Sequence, residues 1–364
     1  MVGTVAELYQ LITELKEGGT PDLSIDYGYL VVNSVRDNSF SKGFEENTDA
    51  LEAVYNDSRF RNRFPWLMED WLADGELFLQ LARDEEGILR ITDLRAYKVD
   101  EVEAQESGRI TFLRILFQQE DDLWFRKEYT PDEIITFLPS RDRDLGSFTV
   151  NERLPNELGE VPFAYFKWGN EKRGEPITKP VQFIIESIDK VFKDIREWNH
   201  QNAHPVPVLE GVNDDVVIVR EPGKALTLPI GGSLKFIGPP DTIKNSFDEL
   251  EELIDGLQDM TGILILTDVS AQTSGEAIMR RQTRLDNVSN LARTEASEEL
   301  DRLNQLIAKA DGISVEPVRF PPIRTPSESE VKVKLENWTT LKSEGVISPA
   351  EYRTILRQYL GLDN

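Results

Sequence analysis

His200 and His204 are the only two imidazoles in the chain. They stand four residues apart, the spacing that puts two zinc ligands on one face of a helix. Gln201 occupies the place where a zinc protease carries its glutamate, and Pro205 ends the helix just after the second imidazole. The pair is therefore read as no metal site. Glu120-Asp121-Asp122 offers carboxylates to a hard cation but lacks the spacing of a calcium loop, which makes it a solvated turn. No Gly-x4-Gly-Lys-Ser/Thr phosphate loop, no Gly-x-Gly-x-x-Gly and no Gly-x-Ser-x-Gly elbow occurs, so ATP hydrolysis, dinucleotide binding and a hydrolase triad all lack an anchor. The expectation is a protein without catalytic residues, metal or cofactor, and not an enzyme. One acidic group does have order. Asp248, Glu251, Glu252, Asp255 and Asp259 recur three and four apart, with only Lys244 close by, so one side of that helix must be strongly negative. Such a face repels phosphate; on a monomer it is simply a solvated surface.

The whole chain shares that bias. Its 364 residues hold 66 acidic against 41 basic side chains, a formal charge of -25, which argues against a tight, sequence-reading DNA binder but not against a protein past which DNA slides. There is no cysteine, hence no disulfide or thiol chemistry. The first residues carry neither a basic region nor an apolar run, and no apolar stretch reaches 18 residues, so the expectation is a chain that is soluble and cytoplasmic when made, without membrane partners.

Several elements must position that acidic face. Leu8, Leu11, Ile12 and Leu15 share a helical face. A second pattern runs through Leu51, Val54, Tyr55, Phe60 and Phe64, then past Pro65 through Trp66, Leu67 and Trp71, as a core face of large rings. From Leu77 the period shortens. Leu77–Leu81, Ile88–Ile91, Ile110–Phe117 and Leu123–Arg126 read as strands of an antiparallel meander, with polar turns at 84–87 and 118–122. Lys179-Pro180 then opens a helix whose Val181, Ile184, Ile188, Val191, Ile195 and Trp198 form a heptad stripe. A second stripe runs through Ile243, Phe247, Leu250, Ile254 and Leu257. Between them lie β-prone runs at 216–219, 225–228 and 234–237, separated by Pro222-Gly223 and Gly231-Gly232. Two helices thus bracket a small β insert. By periodicity alone this also fits an ordinary αβα excursion in an enzyme. The apolar half of Gly262 to Thr273 reads as a loop or a buried strand. After it, a Thr273–Glu276 capping box opens a helix marked by Ile278, Leu285, Val288, Leu291, Ala292, Leu300, Leu303, Leu306 and Ile307, uninterrupted until Asp311-Gly312 and roughly 50 Å long.

Ser274-Gly275-Glu276-Ala277 at the head of a long helix, after a Thr261-Gly262-Ile263 helix end, resembles the portal proteins of tailed bacteriophages. Other landmarks come in that family's order: Gly159 to Phe163 with Trp168-Gly169-Asn170 and Gly174, then Ile185 to Lys190, Asn199 to Gly211, Pro321 to Pro326 and Leu341 to Ser348. The likeness covers about Gly159 to Leu360.

The resemblance implies an α+β portal-like fold: a helical stem hairpin with a small β clip, a mixed α/β wing and a long helix after a tunnel loop. On this chain it places the wing at 1–178, stem helix 1 at 179–203, the clip at 204–240, stem helix 2 at 241–261, the tunnel loop at 262–273, the long helix and a returning wing strand at 274–340, and a short crown-like helix at 341–364. It implies a ring of about twelve subunits at one capsid vertex, a conduit for packaging and ejection of double-stranded DNA that passes non-specifically. Its partners would be the terminase large subunit, a head-completion or adaptor protein and the major capsid protein, in the host cytoplasm during assembly and in the virion afterwards. Asp248, Glu251, Glu252 and Asp255 would line the channel. Ile263, Leu264, Thr267, Asp268, Ser270 and Gln272 would form the tunnel loop, and Val216, Val217, Glu221, Lys224 and Lys235 the clip surface that docks partners. Arg280, Arg281 and Arg284 would pair with the acidic helix of a neighbouring subunit or touch phosphate. The competing readings are a soluble enzyme or binding protein with a helical hairpin insert, and an acidic scaffold protein.

Overall fold

The computed structural model describes residues 26–105, 108–119, 122–202, 206–210, 233–237, 242–263 and 275–323. The chain divides into two compact units, Met1–Pro321 and Pro322–Asn364, and every element below belongs to the first. The expected helix at Leu8–Leu15 lies outside the described residues.

Helix α1 (Tyr27–Phe40) starts where the Asp26 carboxylate accepts the Tyr29 amide at 2.8 Å, an N-cap that satisfies one orphan donor of the first turn. It lies in the stretch up to about Gly75 that reads as largely helical, but no apolar stripe marks its place, and the reason lies in its packing. Val32, Val35 and Phe40 enter one core cluster while Tyr27, Leu30 and Val31 enter another, so no single apolar stripe stands out. Helices α2 (Asp49–Asp57) and α3 (Phe60–Asp74) follow the expected aromatic pattern. Leu51, Tyr55, Phe60, Phe64 and Trp71 are buried, and Phe44, Phe60 and Phe64 meet edge-on or tilted. Trp66 departs from the pattern: it is 64% exposed and lies near the Arg36 guanidinium.

The strands between residues 76 and 167 form two sheets on either side of a shared core rather than one meander. β1 (Glu76–Arg83) pairs antiparallel with β2 (Leu89–Leu94) and, on its other edge, with β8 (Phe163–Lys167). The five-stranded sheet is a true meander of β3 (Val99–Ala104), β4 (Ile110–Gln118), β5 (Trp124–Tyr129), β6 (Glu133–Phe137) and β7 (Val150–Pro155). Phe78, Phe163 and Tyr165 from the first sheet pack against Val102, Leu113, Ile115 and Tyr129 of the second. One buried charge holds this junction. Glu76 accepts hydrogen bonds from the Tyr165 hydroxyl, from the Arg173 guanidinium at 2.7 Å and from the Gly174 amide at 2.8 Å. Burial pushes the Glu76 carboxyl up, but these donors outweigh it and hold its pKa below the ordinary value.

The long helix α6 (Gly275–Asp311) has 37 residues, about 55 Å at the α-helical rise. Ala292, Ala296, Leu300, Leu303, Leu306 and Ile307 are fully buried against α1–α3 and the three-stranded sheet. Ile278 and Leu291 were expected on the same face but are 37% and 51% exposed: Ile278 precedes the part of α6 that meets the core, and Leu291 lies off the stripe of Leu285, Ala292, Ala296 and Leu303. The side chains of the expected capping box lie outside the described residues. The return after Gly312 is irregular chain and not a strand, at least through Ile323. It is held by side-chain-mediated bonds and by Phe320, which packs on Phe40, Phe44 and Phe64. Residues of the expected strand and terminal helix beyond 323 lie outside the described residues.

Candidate functional site

A 3-10 turn at Lys179–Val181, with Pro180 in its first positions, leads into α4 (Gln182–Asn202). Proline fits there because the first amides of a helix have no intrahelical acceptor. Helix α5 (Thr242–Thr261) runs back beside it. Both heptad stripes face each other as expected: Val181, Ile184, Ile188, Val191 and Ile195 are buried against Leu250, Ile254 and Leu257, with Phe247 half-buried and Tyr27, Leu30 and Val31 of α1 closing the base. Each fully buried aliphatic side chain contributes about 1.5–3 kcal/mol, so this seam alone accounts for the hairpin. At the far end β9 (Val206–Glu210) and β10 (Ser233–Ile237) pair antiparallel, with Lys235 opposite Val208. Val216, Val217, Glu221, Lys224 and His204 lie outside the described residues; His200 is in α4.

The acidic residues are carried on the side of α5 away from the seam. Asp248, Glu249, Glu251, Glu252, Asp255 and Asp259 are all exposed. Asp255 and Asp259 are held by an arginine of the same chain. Arg281, 12% exposed on the first turns of α6, donates from Nε to Asp259 at 2.8 Å and from Nη2 to Asp255 at 3.3 Å. Of the three arginines that follow the loop, Arg281 therefore serves its own acidic helix, and Asp255 is shared between that pair and any wider role.

What brings these groups together is a close crossing of the end of α5 with α6. The Gly262 amide donates to the Gln258 carbonyl at 2.7 Å, closing the helix, and Gly262 has φ +79, which side-chain-bearing residues rarely adopt. A Cβ there would stand 2.4 Å from the Leu285 amide nitrogen and 2.5 Å from the Arg281 carbonyl oxygen. Ile263 is 2% exposed and packs in the stem cluster with Leu285. It is thus an anchor at the base of the expected tunnel loop and not a projecting residue. Leu264, Thr267, Asp268, Ser270 and Gln272 lie outside the described residues.

Farther along α6, a groove of about 750 Å³ opens between the β3–β4 turn, the chain after β8 and the helix, with Glu103, Glu295, Glu298, Glu299, Lys167 and Lys172 in its wall. Glu299 accepts the Tyr165 amide at 3.3 Å. Burial raises its pKa to about 7, against the pull of Arg302. Nothing in the sequence distinguished Glu299 from the other glutamates, because its burial comes from strands more than 130 residues away. A raised folded value means that Glu299 contributes stability fully at pH below its ordinary value of 4.5, and that this is lost as the pH rises through about 7. Thermal unfolding should therefore show a decline over that interval, on the order of 3 kcal/mol, which Glu299→Gln removes. An unchanged pH profile in the variant would place the titration elsewhere.

The phage portal protein family of the SPP1 Gp6-like type matches residues 24–349. The chain belongs to that family. It is a structural family and not an enzymatic one. The portal fold is also found among solved structures. A chain in the virion of the native gene transfer agent particle is 11% identical, with a TM-score of 0.50 over 95% of this chain and 92% of that one. A chain in the neck of the native gene transfer agent particle, solved with C12 symmetry, is 12% identical, with a TM-score of 0.51 over the same shares. No curated protein matches the portal chain.

Proposed function

We propose that this chain is the subunit of a portal ring of about twelve copies at one capsid vertex of a tailed phage or prophage, through which DNA enters on packaging and leaves on ejection. The observation that carries the reading is the stem itself: two helices joined by a buried apolar seam, tipped by a β pair, with an exposed acidic face on one of them. Subunits closing head to tail give a ring with a bore, and the gene transfer agent neck whose fold this chain shares has C12 symmetry.

In this reading Asp248, Glu251, Glu252 and Asp255 turn toward the bore, and their charge keeps DNA from adhering through phosphate contacts. The segment Gly262–Thr273 reaches the DNA from a base fixed by Gly262, Ile263 and Arg281. The clip, residues 204–240, receives the terminase large subunit and later the adaptor protein, while the wing meets the major capsid protein. The ring is assembled in the host cytoplasm and ends in the virion. Imaging of the purified protein tests the reading, with a ring and a central pore as its signature.

A further inference from the structure

Three consecutive residues of β3, Val102, Glu103 and Ala104, all border the groove beside α6. Successive strand side chains point to opposite faces, so a cavity that meets three in a row lies along the strand's edge and not on a face of the sheet. That edge is open: β4 pairs with β3 on one side, and no strand pairs with it on the other among the described residues. Glu295, Glu298 and Glu299 of α6 build the opposite wall, and Tyr165, Lys167 and the chain from Gly169 to Lys172 complete the groove. The β3–β4 turn closes one end, where a Cβ on Gly108 would stand 3.0 Å from Oε1 of Glu299. Five carboxylates, those of Glu103, Glu171, Glu295, Glu298 and Glu299, stand in the lining against the two ammonium groups of Lys167 and Lys172. The carboxylates of Glu103 and Glu298 make no ion pair or hydrogen bond among the described residues. Burial, and then the neighbouring Glu298, raise the pKa of Glu295 against the pull of Lys167. The wall is short of positive charge.

We infer that this groove takes an extended basic segment of a partner protein, which adds a strand to the open edge of β3 and places lysine or arginine side chains against the glutamates of α6. An exposed strand edge supplies main-chain donors and acceptors, and the pockets beside it select alternate side chains. The spacing suits that division. Alternate residues of an extended strand stand about 6.6 Å apart, and the step along α6 from Glu295 to Glu298 and Glu299 is about 4.5–6 Å. Cations two positions apart in the segment therefore meet successive glutamates. Charge sets the occupant. The wall repels a phosphate backbone, and among the described residues no group of three acidic side chains is placed to hold a metal ion. The groove lies within a single chain, so binding does not require a closed ring.

Calorimetric titration of the full chain with a six-residue peptide of alternating lysine and valine, blocked at both ends, tests this. One peptide should bind per chain at low salt, and Glu298→Lys, at an exposed position, should weaken it by about tenfold or more. Two further peptides carry methyl groups on one or the other alternate set of backbone nitrogens. One of them should bind about tenfold more weakly, because its amides can no longer complete the ladder with β3. These peptides leave the protein untouched, so that arm stands even where a variant folds poorly. Unchanged affinity in Glu298→Lys overturns the charge pairing, and equal binding of the parent and both methylated peptides overturns strand addition. Displacement of the peptide by spermidine at equal charge concentration shows a merely acidic surface and overturns the site, as does a wild-type chain that takes up no peptide.

Discussion

Gly262→Ala should cost on the order of 2–5 kcal/mol and loosen the stem from the long helix. Two effects add. A residue with a Cβ costs about 1–2 kcal/mol in the left-handed region, where Gly262 sits at φ +79. The added methyl would also meet backbone atoms of α6 at 2.4 and 2.5 Å, and backbone cannot swing away as a side chain does; overpacking of this kind costs about 1–3 kcal/mol. Gly43 is the internal control, because it has φ +64 but nothing within 4 Å of the position a Cβ would take. Gly43→Ala should lose only the conformational part. Thermal unfolding of the two variants checks this, and equal losses would show that the crossing of α5 and α6 is looser than described. Because Gly262 also fixes the root of the loop, its alanine variant should make the peptide bonds of 263–274 more accessible to protease while those near Gly43 are unchanged.

The second large effect concerns the bore. Asp248→Lys and Glu251→Lys reverse charge on the exposed face without touching the Arg281 pair, which Asp255→Lys would break. If these positions face DNA, each new phosphate contact should steepen the dependence of log affinity on log salt by roughly 0.9. A few such contacts per ring turn a passage that does not bind into one that holds DNA at low salt. Ring formation should survive. Salt-titrated binding of linear duplex to wild-type and variant rings measures this, and an unchanged slope would put the face outside the channel.

Much of the stem was legible in the chain because its signals are local. The heptad stripes of 181–195 and 247–257 are set by periodicity within single helices, and the seam that they form follows directly from it. Elements whose character is decided by distant neighbours were not legible. Helix α1 is apolar on two faces because it separates two cores, and strands β3 and β7 carry too many charged and polar residues to announce themselves. The split into two sheets depends on β8, which joins β1 across some 80 residues of chain. Site chemistry divides in the same way. The acidic face of α5 could be read from spacing, whereas the Arg281 pair, the burial of Ile263 and the Glu76–Arg173 junction each depend on a contact between segments that no motif links.

The central claim is that this chain closes into a ring around a channel, and electron microscopy of the purified protein tests it most directly. About twelve copies of a 41.5 kDa chain make a particle of about half a megadalton. Averaged images should show end-on views with rotational symmetry and a central pore, and side views in which the hairpin tips project from one face. Monodisperse single chains or compact dimers, persisting across protein concentration and salt, would contradict the account.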